Sequence, residues 1–173
     1  MRCRALLLSF AACLLSSTAV SAPVAQAALT SQPHNEQLVV ASRTSKQMGL
    51  LYIPALRITT PIFEGVTNAQ FDAGVGQWPG SPKPGANGNI VIGGHRTSAM
   101  RPFANIDKLK NGDEMFIYRN GKKFRYVVSK SMIVTRTAVW IINPTSTPTL
   151  TLFSCHPKGK TSHRYVIRAT FAS

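Results

Sequence analysis

Three side chains of this sequence are suited to covalent chemistry, and each stands at the end of a strand-like run. Thr149-Leu150-Thr151-Leu152-Phe153 alternates polar and apolar residues, the period-two pattern of a half-buried strand. The alternation delivers Cys155 to the strand's end, where Pro157 stops regular pairing. A Gly/Lys/Ser loop follows, and a second apolar-rich strand opens with His163-Arg164. A thiol and a guanidinium are thus predicted on neighbouring strand ends. Upstream, Asn89-Ile90-Val91-Ile92-Gly93-Gly94 reads as a strand ending in His95, and the glycines would permit a sharp bend that aims the imidazole outward. The trio suits amide cleavage by a thiol. Free cysteine has a pKa of about 8.5 and attacks as the thiolate. Arg164 is always charged and offers five donors, fit for a tetrahedral oxyanion. An imidazole such as that of His95 can give or take a proton in such a step.

Each of these residues also has a plainer reading. A lone cysteine is commonly buried and inert, and a lone histidine is commonly a surface or satisfied core residue. Cys155 with His156 and His163 raises a metal site, but residues 155 and 156 point to opposite faces of a strand, a poor arrangement for one ion. The six acidic residues form no cluster, and no metal or cofactor is expected. Arg96 would point away from His95, toward solvent or a substrate loop.

The elements that must position these side chains read as short strands with turn punctuation. Leu50 to Pro54 and Leu56 to Gly65 are strands broken by Pro and Gly. Asn68 to Gly76 reads as a helical turn, and Trp78 to Gly88 is too rich in Pro and Gly for regular structure. Thr97 to Lys110 is predicted as a short helix, with Phe103, Ile106 and Leu109 at threefold spacing for one apolar face. Glu114 to Tyr118 and Lys123 to Val134 read as a hairpin with an Asn120-Gly121 turn, and Val139 to Ile142 as a further strand. The pattern is that of an all-β barrel or sandwich.

At 173 residues the chain allows one domain with a real core. Met1 to Ala27 stands apart from it. Arg2 and Arg4 precede an apolar run from Ala5 to Val20, and Ala25-Gln26-Ala27 offers a cleavage site, so the segment reads as a signal peptide or an N-terminal membrane anchor. Sixteen residues of helix span only about 24 Å against a bilayer core of about 30 Å, which leaves both readings standing. Residues 28 to 48 read as a linker and 49 to 173 as the folded domain. Export of the domain leaves Cys155 as its single cysteine, without a disulfide framework. The net charge of +14 favours an anionic membrane surface or cell wall; export and scattered Lys/Arg residues argue against nucleic acid.

The motifs resemble those of sortases. Thr151-Leu152-Phe153-Ser154-Cys155 fits a T-L-x-(S/T)-C nucleophile strand followed by an arginine on the next strand, here Arg164. Ile53-Pro54-Ala55-Leu56 and Pro61-Ile62-Phe63-Glu64-Gly65 are similar to the family's opening strands, and Trp78-Pro79 through Gly94-His95 to its histidine segment. Cys155-His156-Pro157 and Gly94-His95-Arg96 look most like class E, with class D next. The sequence departs from class E in placing Ser154 where Thr is more usual and in lacking a tyrosine among Thr97 to Met100.

The resemblance implies a closed barrel of about eight strands with short helices in the connections. It implies a transpeptidase that cleaves an L-(P/A)-x-T-G signal between Thr and Gly. Cys155 would be the nucleophile, His95 the general acid and base, Arg164 the oxyanion stabiliser, and Ser154 and Arg96 would contribute to substrate binding. Partners would be secreted proteins with C-terminal sorting signals and an amine from a peptidoglycan precursor or a pilin lysine, at the extracytoplasmic face or in the wall. L,D-transpeptidases set a different motif around their cysteine, and papain-like wall peptidases place cysteine before histidine. A non-catalytic basic wall-binding module would make Cys155 and Arg164 dispensable.

Overall fold

The alternating runs at the two ends of the chain's last hairpin are where the fold closes. In the computed structural model, which describes residues 45–173 except Ala99, Leu150 and Leu152 point into a sealed core while Phe153 and Cys155 face outward. The expected leader at residues 1–27 and nearly all of the linker lie outside the described residues.

Eight strands form the wall: β1 (Gln47–Ile53), β2 (Ile58–Glu64), β3 (Val75–Gln77), β4 (Gly88–Gly94), β5 (Glu114–Arg119), β6 (Lys122–Thr135), β7 (Pro148–His156) and β8 (His163–Ala172). They close in the order β1-β2-β3-β4-β7-β8-β6-β5, so the expected eight-stranded closed barrel is the observed one. Among the described residues every strand thus has a neighbour on both sides. Leu51, Ile62, Ile92, Ile117, Leu152 and Ile167 fill the interior, each nearly or fully buried. The β5–β6 hairpin turns at Asn120 and Gly121 with φ of 52° and 71°, the left-handed pair that a two-residue hairpin demands.

Two connections matter for the site. The pairs β4–β7 and β7–β8 are parallel and antiparallel respectively. The C-terminal ends of β4 and β7 and the N-terminal start of β8 therefore meet on one rim. Among the described residues one short α-helix, α1 (Asn68–Ala73), leads into β3; Thr67 and Gln70 form its capping box.

Two local expectations are corrected. Thr97 to Lys110 is not a helix but a run of turns with one 3₁₀ turn at Ile106–Lys108. Pro102 lacks the donor a helix would need, while the Phe103 amide bonds the His95 carbonyl at 3.1 Å instead. Phe103, Ile106 and Leu109 are nonetheless all buried, because threefold spacing serves a 3₁₀ stretch as well as an α-helix. Val139–Ile142 is a 3₁₀ turn rather than a strand, and only Ile141 of it is buried. The first strand starts at Gln47, close to the boundary drawn between linker and domain.

Candidate active site

Cys155 and Arg164 are direct cross-strand partners in the β7–β8 ladder. Opposed residues of an antiparallel pair project to the same face with Cβ atoms about 4.5–5.5 Å apart. The thiol, free and half-buried, thus shares a face with the Arg164 side chain by register. Arg164 is also pinned: Nη1 donates to the carbonyls of Thr161 and His163, each at 2.9 Å.

His95 arrives from the other side. The parallel β4–β7 register runs to Gly93↔Phe153, and two residues further along each strand come His95 and Cys155. Ser154 Oγ donates to the Gly94 carbonyl at 2.8 Å, tying the two strand ends together just short of that level. Cys155 therefore lies on the strand between those that carry His95 and Arg164. The imidazole itself bonds Asp72 of α1, Nε2 to Oδ1 at 3.0 Å, and no hydrogen bond joins it to Cys155. Its ring packs edge-on against Phe71, with centroids 5.5 Å apart, and Phe71 packs in turn on Phe153.

Gly93 and Gly94 serve a different purpose from the bend expected of them. Both belong to the extended β4. A Cβ on Gly93 would lie 2.5 Å from Phe153 and 2.7 Å from Phe71, and one on Gly94 would lie 2.8 Å from Phe103. The glycines make room for aromatic rings on the two sides of the strand. The Phe71–Phe153 pair rests on Gly93, and His95 leans on that pair.

Ser154 and Arg96 are not where a substrate would meet them in solvent. Ser154 is 2% exposed, with its hydroxyl committed to Gly94. The solvated position expected for Arg96 is corrected: its side chain is buried, with Nη2 2.8 Å from Asp107 Oδ1 and Nη1 2.8 Å from His156 Nδ1. The alternation that turns His95 outward turns Arg96 inward, and a buried guanidinium needs a partner. Burial pushes the Asp107 carboxyl up, but its hydrogen bond to Arg96, its own backbone amide and the charges of Arg96 and Lys158 outweigh this and hold it below the usual carboxylate range.

Beside this rim lies an apolar cavity of about 260 Å³, walled by Phe71, Trp78, Phe153, Ala138 and Ile141 and bordered by Arg164. One wall belongs to the β6–β7 connection, and a buried asparagine fixes it. Asn89 Nδ2 donates to the carbonyls of Ile141 and Asn143 at 2.9 and 3.1 Å, while its Oδ1 accepts from Thr151 Oγ1 at 2.7 Å. Sequence reasoning assigned no role to Asn89, Asp72 or Asp107. Their partners lie 52, 23 and 11 residues away, and no local spacing marks such pairs.

A closed eight-stranded barrel presenting a thiol, an imidazole and an arginine on adjacent strand ends defines a cysteine-centred β-barrel of the sortase type. Residues 51–172 match the sortase domain, and the chain belongs to the sortase family. It is 31% identical to sortase D of Bacillus subtilis strain 168 over 128 residues, covering 72% of this chain and 63% of that protein. It is 29% identical to sortase SrtE1 of Streptomyces coelicolor over 134 residues, 68% of this chain and 38% of that one. The aligned region thus spans less than two thirds of either relative. Among solved structures, a sortase D5 transpeptidase from Clostridium perfringens superposes with a TM-score of 0.67 at 26% identity, covering 80% of this chain and 89% of that one. A sortase E mutant from Streptomyces avermitilis gives 0.68 at 27%, covering 74% and 89%. Class D and class E relatives stand at similar distances.

Proposed function

We propose that this chain is a cysteine transpeptidase that cuts an L-(P/A)-x-T-G-like sorting signal between Thr and Gly and passes the Thr carbonyl to an amine. The observation that carries the reading is the Cys155↔Arg164 register, which puts on one face the two side chains read as nucleophile and oxyanion donor. The Cys155 sulfur attacks the Thr carbonyl carbon, and the carbonyl oxygen gains negative charge toward Arg164. The C–N bond to Gly then breaks, with His95 giving a proton to the leaving amine. A thioester on Cys155 remains. The incoming amine attacks it while His95 takes back a proton, and the C–S bond breaks to release Cys155 as the thiolate with a new amide formed. The apolar cavity beside Arg164 supports an extended peptide with an aliphatic residue ahead of the scissile bond.

Held in line with the thioester, an amine reaches an effective molarity of roughly 10⁵ M, far above water, so transfer should outrun hydrolysis. The test is a panel of sorting peptides with Pro or Ala at the second position, incubated with stem-peptide and lysine-type amines and analysed by mass. Peptide–amine conjugates and a thioester mass lost in Cys155→Ala are expected. Hydrolysed peptide as the sole product with every amine would make the chain a protease instead, and full activity in Cys155→Ala would remove the nucleophile.

The charge of +14 and the apolar leader support action at the outer face of the membrane or in the wall. Labelling of Cys155 on intact cells by a membrane-impermeant thiol reagent is expected; labelling only after lysis would refute this placement.

A further inference from the structure

Each of the three residues at the rim has a chain neighbour facing the other way, and those three neighbours meet. Arg96 follows His95, His156 follows Cys155, and Tyr165 follows Arg164. Arg96 Nη1 lies 2.8 Å from His156 Nδ1. Its guanidinium carbon sits 5.4 Å from the centre of the Tyr165 ring, and the His156 and Tyr165 rings are 5.8 Å apart. The other prong of the fork reaches Asp107 at 2.8 Å, on the 3₁₀ turn Ile106–Lys108.

We propose that Arg96, His156, Tyr165 and Asp107 form a clamp beneath the rim that sets the spacing of His95, Cys155 and Arg164, which makes them positioning residues for the reaction. The proposal rests on the reading of Cys155 as nucleophile. Its core is where the backbone ladder ends. Pairing between β4 and β7 stops at Gly93↔Phe153, two residues short of His95 and Cys155. Past that point the two strand ends are tied by Ser154 Oγ to the Gly94 carbonyl and by Arg96 to His156. The second tie lies one residue beyond the reacting level, so together they bracket it. Tyr165, under the same guanidinium, brings in the start of β8.

Arginine suits this work because its rigid planar fork reaches two acceptors at once while its face lies on an aromatic ring. Arginine only donates, so Nδ1 of His156 is the acceptor and its ring proton sits on Nε2. A lysine carries its three donors on one nitrogen and lacks the planar fork and stacking face that reach Asp107, His156 and Tyr165 in fixed directions. The backbone of this rim needs such a device because a displacement of about 1 Å between thiol and imidazole costs on the order of 100-fold in rate.

Four variants of the full chain test the clamp: Arg96→Met, Arg96→Lys, His156→Leu and His156→Asn. Arg96→Met and His156→Leu should lower kcat by roughly 10- to 100-fold with peptide KM little changed. His156→Asn places a carbonyl acceptor where Nδ1 stood and should recover most of the loss, whereas Arg96→Lys should not. Melting temperature follows folding in each variant, and alkylation of Cys155 by iodoacetamide without peptide reads the site independently of turnover. Should Arg96→Met fail to fold, the His156 pair decides the matter, since Leu and Asn are of similar size. Wild-type kcat in His156→Leu, equal kcat in the Leu and Asn variants, or a loss confined to KM would overturn the clamp. Cys155→Ala is run in parallel. Cleavage retained there would overturn the nucleophile and the clamp with it, while an inactive Cys155→Ala beside fully active clamp variants would overturn the clamp alone.

Discussion

Both hydrogen bonds that hold Arg164 among the described residues use Nη1 and go to backbone carbonyls on the chain leading into β8. The guanidinium is fixed through one of its three nitrogens, which leaves Nε and Nη2 without a protein partner among the described residues. Arg164→Ala is expected to reduce kcat/KM for peptide cleavage on the order of 10²–10³-fold, the loss that follows removal of an oxyanion donor. Arg164→Lys should recover little, since an ammonium lacks the rigid fork that spreads donors between those carbonyls and a developing oxyanion. Single-turnover cleavage of a sorting peptide measures both, and full recovery with lysine would show that charge alone suffices.

At the scale of elements, the parallel pairing of β4 and β7 does most to assemble the site, since it brings residues 60 positions apart to one rim. The contact depends on Gly93. A methyl there would meet both Phe153 and Phe71 at distances no side chain tolerates, and these rings support His95. Gly93→Ala should cost about 1–3 kcal/mol through overpacking. Activity should fall further than the folded fraction does, because the displaced Phe71 carries the imidazole with it. Thermal melts and peptide turnover on the same sample separate the two effects; a variant of wild-type stability and activity would show that the rings relax freely. The Asn89 bonds to Ile141 and Asn143 act at this scale too, holding a loop that lacks ladder pairing of its own against the barrel.

Across the whole molecule, the barrel interior sets how stability varies with pH. Tyr126 is fully buried, and its hydroxyl accepts from the Gly85 amide at 3.0 Å. Burial raises its phenol above the usual value of 10, against a smaller opposing effect of the Gly85 bond. The unfolded chain loses this proton near pH 10 while the fold retains it. Stability from this group is therefore complete below about pH 10 and drains away as pH rises through the raised folded value. Melting temperature should fall above pH 10, and the fall should be smaller in Tyr126→Phe, which starts about 0.5–1.5 kcal/mol lower for want of the Gly85 bond. Equal alkaline slopes would assign the loss to other groups. Asp107 acts in the opposite direction. Its lowered carboxyl adds stability that is present above about 3.8 and lost as pH falls through the folded value, a small effect given its exposure.

Whatever is decided between near neighbours was legible in the sequence. Alternation along Thr149 to Phe153 assigned β7 its inner and outer faces, Asn120-Gly121 set a tight hairpin, and the short loop from Pro157 to Ser162 made Cys155 and Arg164 strand partners. Motif spacing was enough to mark the family and its closed barrel. Tertiary structure alone decided the rest. The β4–β7 pairing, the anchoring of Ile141 and Asn143 by Asn89, and the inward turn of Arg96 to Asp107 and His156 all join segments distant in sequence. An apolar run such as Val139–Ile142 has strand composition, but the neighbouring places in the closed barrel are taken by β4 and β8, so it packs across the outside as a 3₁₀ turn. Local pattern sets which face of an element is apolar; only closure of the barrel sets which element that face meets.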